Sequence, residues 1–357
     1  MLEAKILGDQ YAYRNTGSTT CALIKIFDFV TSAFEKNRYV QALYIDFSKA
    51  FDIVDHPTVI KKISKLSIPS NIKNWIVSFL TGRSQLVKCK GSSSLKTPIN
   101  RGIVQGSALG PFLFCIMASD LKPLSPLNTL VKYADDMTYL TVEGSDHGVI
   151  DEYQNAKEWA IDNKLVINEG KTGSQCLKRN GKIDNPIEDL KNIQIITEYR
   201  LLGVTIDNTL TFTSHVSKIL SVCNQRFYLL KLLRDQGAKI DALHSIYMSL
   251  VVNRIIYGLS AWGGFVSQAD VQRINSLFKK AKLYGYTNTV FDFLGLLTHT
   301  DRGLFLNIDY SHCLYDLLPS VATFEGRERG HKFELPLCKL EKHKRSFLPR
   351  CLFSFLH

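Results

Sequence analysis

Three carboxylates carry the clearest chemical signal in this sequence. Asp135 and Asp136 stand side by side between two short apolar runs, residues 130–133 and 137–142, and Asp46 ends another apolar run far upstream. The two runs are β-rich, so they predict a hairpin with the acidic pair in its tight turn. Asp also suits turns for conformational reasons alone, which leaves a solubilising hairpin as the alternative. If the strand that ends at Asp46 lies beside this turn, all three carboxylates meet.

Such a cluster predicts a site for divalent cations. Like charges at short range repel, so the three groups stay ionised only where cations fill the space between them. Mg²⁺ suits this role because it is hard, octahedral and held by a few carboxylates together with substrate phosphates; Mn²⁺ could substitute for it. Two ions about 3.5–4 Å apart would activate a primer 3′-hydroxyl and stabilise a leaving pyrophosphate. The predicted chemistry is nucleotidyl transfer.

A glycine-containing loop lies between the two acidic sites along the chain. Residues 101–111 include Gly102 and Gly106 and lead into the apolar run 112–117. Glycine lets a ligand approach the backbone closely, so this loop could border a bound substrate. The alternative is a plain loop that leads into a helix, with Ser107 as its N-cap.

The order of these motifs resembles that of reverse transcriptases from non-LTR retrotransposons of the LINE, jockey-like type. The strongest blocks are residues 42–52 (ALYIDFSKAFD), 102–111 (GIVQGSALGP) and 133–136 (YADD). Weaker blocks are residues 10–20 (QYAYRNTGSTT), 168–172 (NEGKT) and 200–207 (RLLGVTID). The resemblance covers roughly residues 1–286, and the remaining tail resembles the family's C-terminal region more loosely.

The resemblance assigns a metal site and a nucleotide site residue by residue. Asp46, Asp135 and Asp136 would hold the two metal ions, and Phe47 would lie beside the incoming triphosphate through its backbone. Phe51 stands where this family places the aromatic ring that excludes a ribose 2′-hydroxyl, which implies a DNA product. The alternative for Phe51 is an ordinary core phenylalanine. An RNA-dependent RNA polymerase would need a small or hydrogen-bonding residue there.

Four further residues receive substrate roles from the same resemblance. Gln105 and Gly106 would border the nucleotide and the template base. Arg14 would clamp the triphosphate, since a guanidinium matches phosphate oxygens in bidentate fashion. Lys171 would protonate the departing pyrophosphate as a general acid, and the alternative is a solvated surface lysine.

The predicted fold class is α+β, a right-hand polymerase whose antiparallel palm sheet is backed by helices. Leu202 and Gly203 would form a hairpin that grips the primer, with a plain β-turn as the alternative. The predicted domains are partial fingers at 1–38, a palm with finger insertions at 39–212, a helical thumb at 213–286 and a basic C-terminal tail region at 287–357.

Periodicity and capping residues place individual elements within this frame. Helices are predicted at residues 18–36, 56–66, 70–80, 107–121, 147–165, 216–233, 241–257 and 268–283. In the helix at 147–165, Trp159 and Ile161 are expected to face inward. Strands are predicted at residues 39–45, 85–90, 173–177 and 199–206.

Charge is concentrated where the thumb is predicted. The chain carries a formal charge of +11. Residues 213–290 contain ten Lys or Arg against three Asp, a net charge of +7. A basic helical module after a polymerase core suits binding to phosphates, and the alternative is a solvated basic face. At 357 residues and 45% hydrophobic, the chain can bury a substantial core.

The eight cysteines are scattered singly, with no pair at the two-residue spacing of a zinc site. Reduced, buried thiols in an intracellular compartment are therefore expected, in the nucleus or the cytoplasm. A zinc site from His312 and Cys313 with Cys338, His343 and Cys351 fits no recognised spacing. No apolar run reaches membrane-spanning length, so no membrane partner is expected.

Two functions follow from the sequence, and both require binding to a primed template. The first is an RNA-directed DNA polymerase that uses an RNA template, a DNA primer and deoxynucleoside triphosphates; its oligomeric state is open. The alternative is a catalytically inactive or domesticated nucleic-acid-binding remnant. Compared with the family, the chain lacks fingers sequence before residue 10, an upstream endonuclease and an RNase H segment, so an N-terminally truncated element is expected.

Overall fold

The computed structural model describes residues 7–104, 106–179, 190, 192–321 and 333–355. The chain separates into two compact units. The first unit comprises residues 1–17, 41–174 and 187–195, and the second comprises residues 18–40, 175–186 and 196–357. This division differs from the four predicted domains because the chain passes repeatedly between the units, and the four-domain division remains a prediction.

Strands and helices alternate in the first part of the chain, and helices dominate after residue 207. The strands are β1 (Tyr39–Ile45), β2 (Ser84–Gln85), β3 (Lys88–Cys89), β4 (Ser92–Ser93), β5 (Thr97–Pro98), β6 (Thr129–Tyr133), β7 (Asp136–Val142), β8 (Gly173–Lys178), β9 (Gln194–Ile195), β10 (Glu198–Leu201) and β11 (Val204–Asp207). The helices are α1 (Thr19–Ala33), α2 (His56–Ser64), α3 (Ser70–Leu80), α4 (Leu109–Met117), α5 (Val149–Asp162), α6 (Thr213–Asp235), α7 (Ile240–Tyr247), α8 (Asn253–Ile256), α9 (Leu259–Trp262), α10 (Gln268–Leu283), α11 (Phe293–Phe305), α12 (Glu341–Lys344) and α13 (Phe347–Ser354). Among the described residues, every helix is too short or too polar to cross a membrane.

A five-stranded sheet has the order β6-β7-β1-β8-β9. β6 and β7 form the predicted antiparallel hairpin, with Tyr133 opposite Asp136. β1 lies inside the sheet and is buried along nearly its whole length, because its residues are almost all apolar. The sheet is not wholly antiparallel, since β8 and β9 pair in parallel at Gly173 and Ser174.

Helices cover this sheet through one apolar core in the first unit. α4 contributes Leu113, Phe114 and Met117, which join Ile45 of β1 and Tyr139 of β7 in the same cluster of buried side chains. The predicted helix at 107–121 is shorter than expected, since α4 spans Leu109–Met117. The loop ahead of α4 is held by Ser107, whose hydroxyl accepts the Gly110 N–H at 3.0 Å.

The predicted inward face of α5 is wrong in one position. Ile161 is 71% exposed, because the buried positions are Val149, Glu152, Tyr153, Ala156 and Ala160. These follow the helical spacing of three and four residues, which turns the residue after Ala160 away from the core. Trp159 packs at the edge of that core.

The predicted strand at 85–90 is replaced by two short ribbons. β2 pairs with β5, and β3 pairs with β4. The chain turns back at Lys90 and Gly91, which both have positive φ, +47° and +84°. Two successive left-handed residues make a tight hairpin turn, which joins β3 to β4. The predicted strand itself is interrupted at Leu86 and Val87, which are 42% and 68% exposed, so no buried face holds the run as one strand.

The second unit is mainly helical, as predicted after residue 211. α6 contacts both α7 and α10, in agreement with the predicted helices at 216–233 and 268–283. The predicted helix at 241–257 continues from α7 into α8 through a π-helical segment, Met248–Val252. The helices α9, α11, α12 and α13 were not predicted.

Candidate active site

The predicted acidic turn joins β6 to β7. Ala134 has φ +57°, a left-handed conformation that side chains other than glycine rarely adopt. Asp135 follows in the turn, and Asp136 is the first residue of β7. Since β7 lies between β6 and β1 in the sheet, Asp46, which directly follows β1, lies near both acids.

The electrostatics of the three carboxylates show that they share one site. Desolvation, followed by the charges of Asp135 and Asp46, raises the pKa of Asp136 to about 6. Desolvation also raises the pKa of Asp135, with the charge of Asp46 acting in the same direction. The negative charge of Asp46 therefore makes Asp135 and Asp136 harder to ionise, which is the electrostatic condition that a bound cation would relieve.

Lys171 lies beside Asp46 because a short turn holds it there. The Asn168 N–H donates to the carbonyl of Asp46 at 2.8 Å, and the Lys171 N–H donates to the carbonyl of Asn168 at 3.1 Å. The Lys171 Nζ lies 3.9 Å from the Asp46 Oδ2, and its side chain is 71% exposed. The structure therefore brings the predicted general acid to the edge of the carboxylate cluster.

The two predicted phenylalanines face different surroundings. Phe47 is 3% exposed, and its ring meets the Trp159 ring edge-on with 6.0 Å between centroids, so only its backbone can serve a substrate. Phe51 is partly buried and stacks on Phe114 at 4.8 Å between centroids. Phe51 also borders a cavity.

Phe51 lines a cavity of about 530 Å³ in the first unit. The remaining lining residues are Tyr13, Ile103, Val104, Gly106, Ser107, Ala108 and Pro111. At Gly106, with φ +79°, a Cβ atom would meet nothing within 4 Å among the described residues. Gln105, the predicted neighbour of the nucleotide, lies outside the described residues.

Arg14 is bound within its own segment of the chain. Its Nη1 donates to the carbonyl of Leu7 at 3.2 Å and to the carbonyl of Gln10 at 3.3 Å. These bonds stabilise the loop ahead of α1. The predicted clamp on a triphosphate remains a prediction.

The predicted primer-grip residues form the turn between β10 and β11 in the second unit. Leu202 and Gly203 have φ +46° and +85°, which suits a two-residue hairpin turn. The Tyr257 hydroxyl donates to the carbonyl of Leu202 at 3.0 Å. This tyrosine was missed by the sequence reasoning, because nothing local to Tyr257 signals a contact with a distant turn.

The cysteine and histidine side chains that lie close together are not the same set of possible zinc ligands that was considered from the sequence. Ligand atoms of Cys21, His312 and Cys313 lie within 4.8 Å of one another in the second unit. The His312 Nδ1 accepts the Leu314 N–H at 3.1 Å, which leaves the proton of the neutral ring on Nε2 and makes that nitrogen a poor ligand. His343 instead contacts Glu35 at 3.0 Å.

Comparisons with known proteins agree with the motifs. Residues 2–206 match the family described as "Reverse transcriptase (RNA-dependent DNA polymerase)". The "Probable RNA-directed DNA polymerase from transposon BS" of Drosophila melanogaster is 28% identical over 324 residues, which are 85% of this chain and 35% of that protein. The "RNA-directed DNA polymerase from mobile element jockey" of Drosophila funebris is 30% identical over 276 residues, 71% of this chain and 29% of that protein.

This chain spans about a third of the length of these relatives. Among solved structures, apo telomerase from Candida tropicalis is 13% identical with a TM-score of 0.44, and the match covers 85% of this chain and 53% of that one. The family match alone covers more than half of the chain and includes all three carboxylates and Lys171. The chain belongs to the reverse transcriptase family.

Proposed function

We propose that this chain is the polymerase part of a non-LTR retrotransposon reverse transcriptase. It would extend a primer 3′-hydroxyl by copying an RNA template into DNA. The observation that carries this proposal is the convergence of Asp46, Asp135 and Asp136: desolvation and the charge of Asp46 both raise the pKa values of Asp135 and Asp136. The likeness to two Drosophila RNA-directed DNA polymerases supports the same activity.

The carboxylate cluster fits the divalent metal ions that the family uses. Asp46, Asp135 and Asp136 would bind Mg²⁺ through their carboxylate oxygens, with the carbonyl of Phe47 as a further ligand and Mn²⁺ as a substitute. Once bound, two such ions would activate the primer hydroxyl and stabilise the leaving pyrophosphate. The chain's own side chains would bind the nucleotide and deliver the proton.

The deoxynucleotide would occupy the cavity lined by Phe51 and Gly106. Phe51 is held by stacking on Phe114, so its ring would resist displacement by a ribose 2′-hydroxyl. Lys171, within 3.9 Å of Asp46, would deliver a proton to the departing pyrophosphate. Arg14 and Gln105 keep their proposed places at the triphosphate and the template base.

The template and primer would be held by basic side chains of the second unit. All ten Lys and Arg of residues 213–290 are exposed: Lys218, Arg226, Lys231, Arg234, Lys239, Arg254, Arg273, Lys279, Lys280 and Lys282. Exposed cations can neutralise phosphates and release counterions. Leu202 and Gly203 would contact the primer end, and the site of action would be the nucleus or the cytoplasm.

Primer extension by the purified chain tests this proposal. The assay uses an RNA template, a DNA primer, deoxynucleotides and Mg²⁺. Template-dependent DNA product that is lost when the template is digested with ribonuclease beforehand would support it. A folded chain that binds the template–primer and extends nothing under these conditions would instead be an inactive binder.

A further inference from the structure

The segment just before α1 runs along the free edge of the central sheet. The Tyr11 N–H donates to the carbonyl of Lys132 at 2.9 Å, and the Lys132 N–H donates to the carbonyl of Asp9 at 2.8 Å. Gln10 and Lys132 thereby form a parallel bridge. Since β6 is the outermost strand of its sheet, this segment covers the strand that leads into the acidic turn.

A buried ion pair fixes the segment in place. The side chain of Lys132 is 1% exposed, and its Nζ lies 3.0 Å from the Asp9 Oδ2. The same Nζ donates to the carbonyls of Ala118 at 2.8 Å and Leu121 at 2.7 Å. A lysine this deeply buried must be paired in this way, so the register of the segment on β6 is strongly specified.

This register places the Gln10 side chain against the acidic turn. Gln10 is 2% exposed. Its Oε1 accepts the Ala134 N–H at 2.9 Å and the Ala12 N–H at 2.9 Å. Both partners are N–H donors, so the atom that faces them must be the carbonyl oxygen. The Nε2 of Gln10 has no hydrogen-bond partner in the described part of the chain, so the hydrogen bonds of this side chain there are those that its carbonyl oxygen accepts.

From these contacts we infer that Gln10 is a positioning residue for the acidic turn. Its carbonyl binds the amide of Ala134, the residue at φ +57° directly before Asp135. That bond holds the turn in its unusual conformation and fixes the direction in which the Asp135 carboxylate points. The inference rests on the proposed function, because the orientation matters only if the carboxylates bind metal ions.

Metal affinity in the absence of substrate provides the test. Mn²⁺ binding to the full chain is followed by the loss of the free-ion electron paramagnetic resonance signal, with Asp135→Asn as the negative control. Gln10→Met keeps the length of the side chain and removes the acceptor. Gln10→Glu keeps an acceptor oxygen. Leu130→Ala is the control for stability: it truncates a core side chain of β6 and should destabilise the fold without altering the acidic turn.

We expect Gln10→Met to weaken Mn²⁺ binding by about tenfold to a hundredfold, as for other residues that orient metal ligands. Gln10→Glu should restore most of the affinity, and Leu130→Ala should lower the melting temperature with Mn²⁺ affinity unchanged. In primer extension, Gln10→Met should lower kcat and leave the KM for the deoxynucleotide unchanged. Excess Mn²⁺ should restore part of the lost kcat.

Wild-type Mn²⁺ affinity in a folded Gln10→Met chain would overturn the inference. If that variant does not fold, Gln10→Asn withdraws the carbonyl with the amide retained, and wild-type affinity there would overturn it equally. A wild-type chain that binds Mn²⁺ but extends no primer would count against the proposed function, and the Mn²⁺ comparison would still decide the role of Gln10.

Discussion

Asp46, Asp135 and Asp136 illustrate what a sequence reveals about single residues. Their types and the strand-like runs around them predicted a shared site, because a strand delivers the residue at its end to a definite edge of a sheet. The contact from Gln10 to Ala134 could not be predicted, since it joins residues separated by 124 positions. The contact of Tyr257 with Leu202 escaped prediction for the same reason.

The raised pKa of Asp136 predicts a pH effect on stability without metal ions. A carboxyl whose pKa rises from 3.8 to about 6 on folding binds its proton more tightly in the folded state. Stability should therefore fall as the pH rises from about 4 to about 6. Asp136→Asn should weaken this fall. Urea denaturation in EDTA at several pH values measures the free energy of unfolding of wild type and Asp136→Asn. Identical pH profiles for the two chains would contradict a raised pKa at Asp136.

Phe51 should control the choice between deoxynucleotides and ribonucleotides. Phe51→Ala removes the ring that lines the cavity beside Gly106, so a ribose 2′-hydroxyl should fit. We expect discrimination against ribonucleotides to fall by about tenfold or more. Competition assays with both nucleotide types measure the ratio of kcat/KM, with Phe51→Tyr as the control that keeps a ring. Unchanged discrimination in Phe51→Ala would make Phe51 an ordinary core residue.

Elements were predicted well where apolar residues form a clear pattern and less well where the local backbone conformation determines the structure. β1, α1, α6 and α10 follow clear apolar patterns and lie close to their predicted ranges. The strand predicted at 85–90 was wrong because Leu86 and Val87 are exposed and no buried face holds the run together. The π-helical segment inside the predicted helix at 241–257 leaves no such signal, since its residues are compatible with an ordinary helix.

The β10–β11 turn should be more sensitive to a methyl group than its backbone conformation alone implies. Gly203 and Gly237 both have φ +85°, but a Cβ at Gly203 would lie 3.0 Å from the Tyr257 ring, whereas a Cβ at Gly237 would meet nothing within 4 Å among the described residues. Gly237→Ala should cost about 1 kcal/mol, and Gly203→Ala about 1–2 kcal/mol more. Urea denaturation measures both, and equal losses would contradict the role of Tyr257.

For the whole molecule, the sequence predicts the distribution of charge but not the division into compact units. The net charge of +11 belongs to a chain that spans about a third of its curated relatives. The basic character of residues 213–290 could be read directly from the sequence, because charged side chains remain at the surface. The division into two units could not, since it depends on contacts between distant parts of the chain.

The basic second unit should give template–primer binding a strong salt dependence. Lys279→Ala with Lys280→Ala removes two exposed charges from α10. The slope of log affinity against log salt concentration should become shallower by about 1.5, since each phosphate contact contributes about 0.7–0.9. Lys61→Ala with Lys65→Ala on and beside α2 is the charge-matched control. Equal effects from both pairs would show that only net charge matters.

Mg²⁺-dependent primer extension by Asp135→Asn, beside wild type and Asp162→Asn, tests whether the three carboxylates form a polymerase active site. Asp162 is an exposed carboxylate of the first unit outside the site, so it controls for loss of charge. We expect DNA synthesis by wild type and Asp162→Asn, and a loss of at least about a thousandfold in Asp135→Asn, equivalent to about 4 kcal/mol of transition-state stabilisation. Synthesis by Asp135→Asn at the wild-type rate would contradict a polymerase site built on these carboxylates.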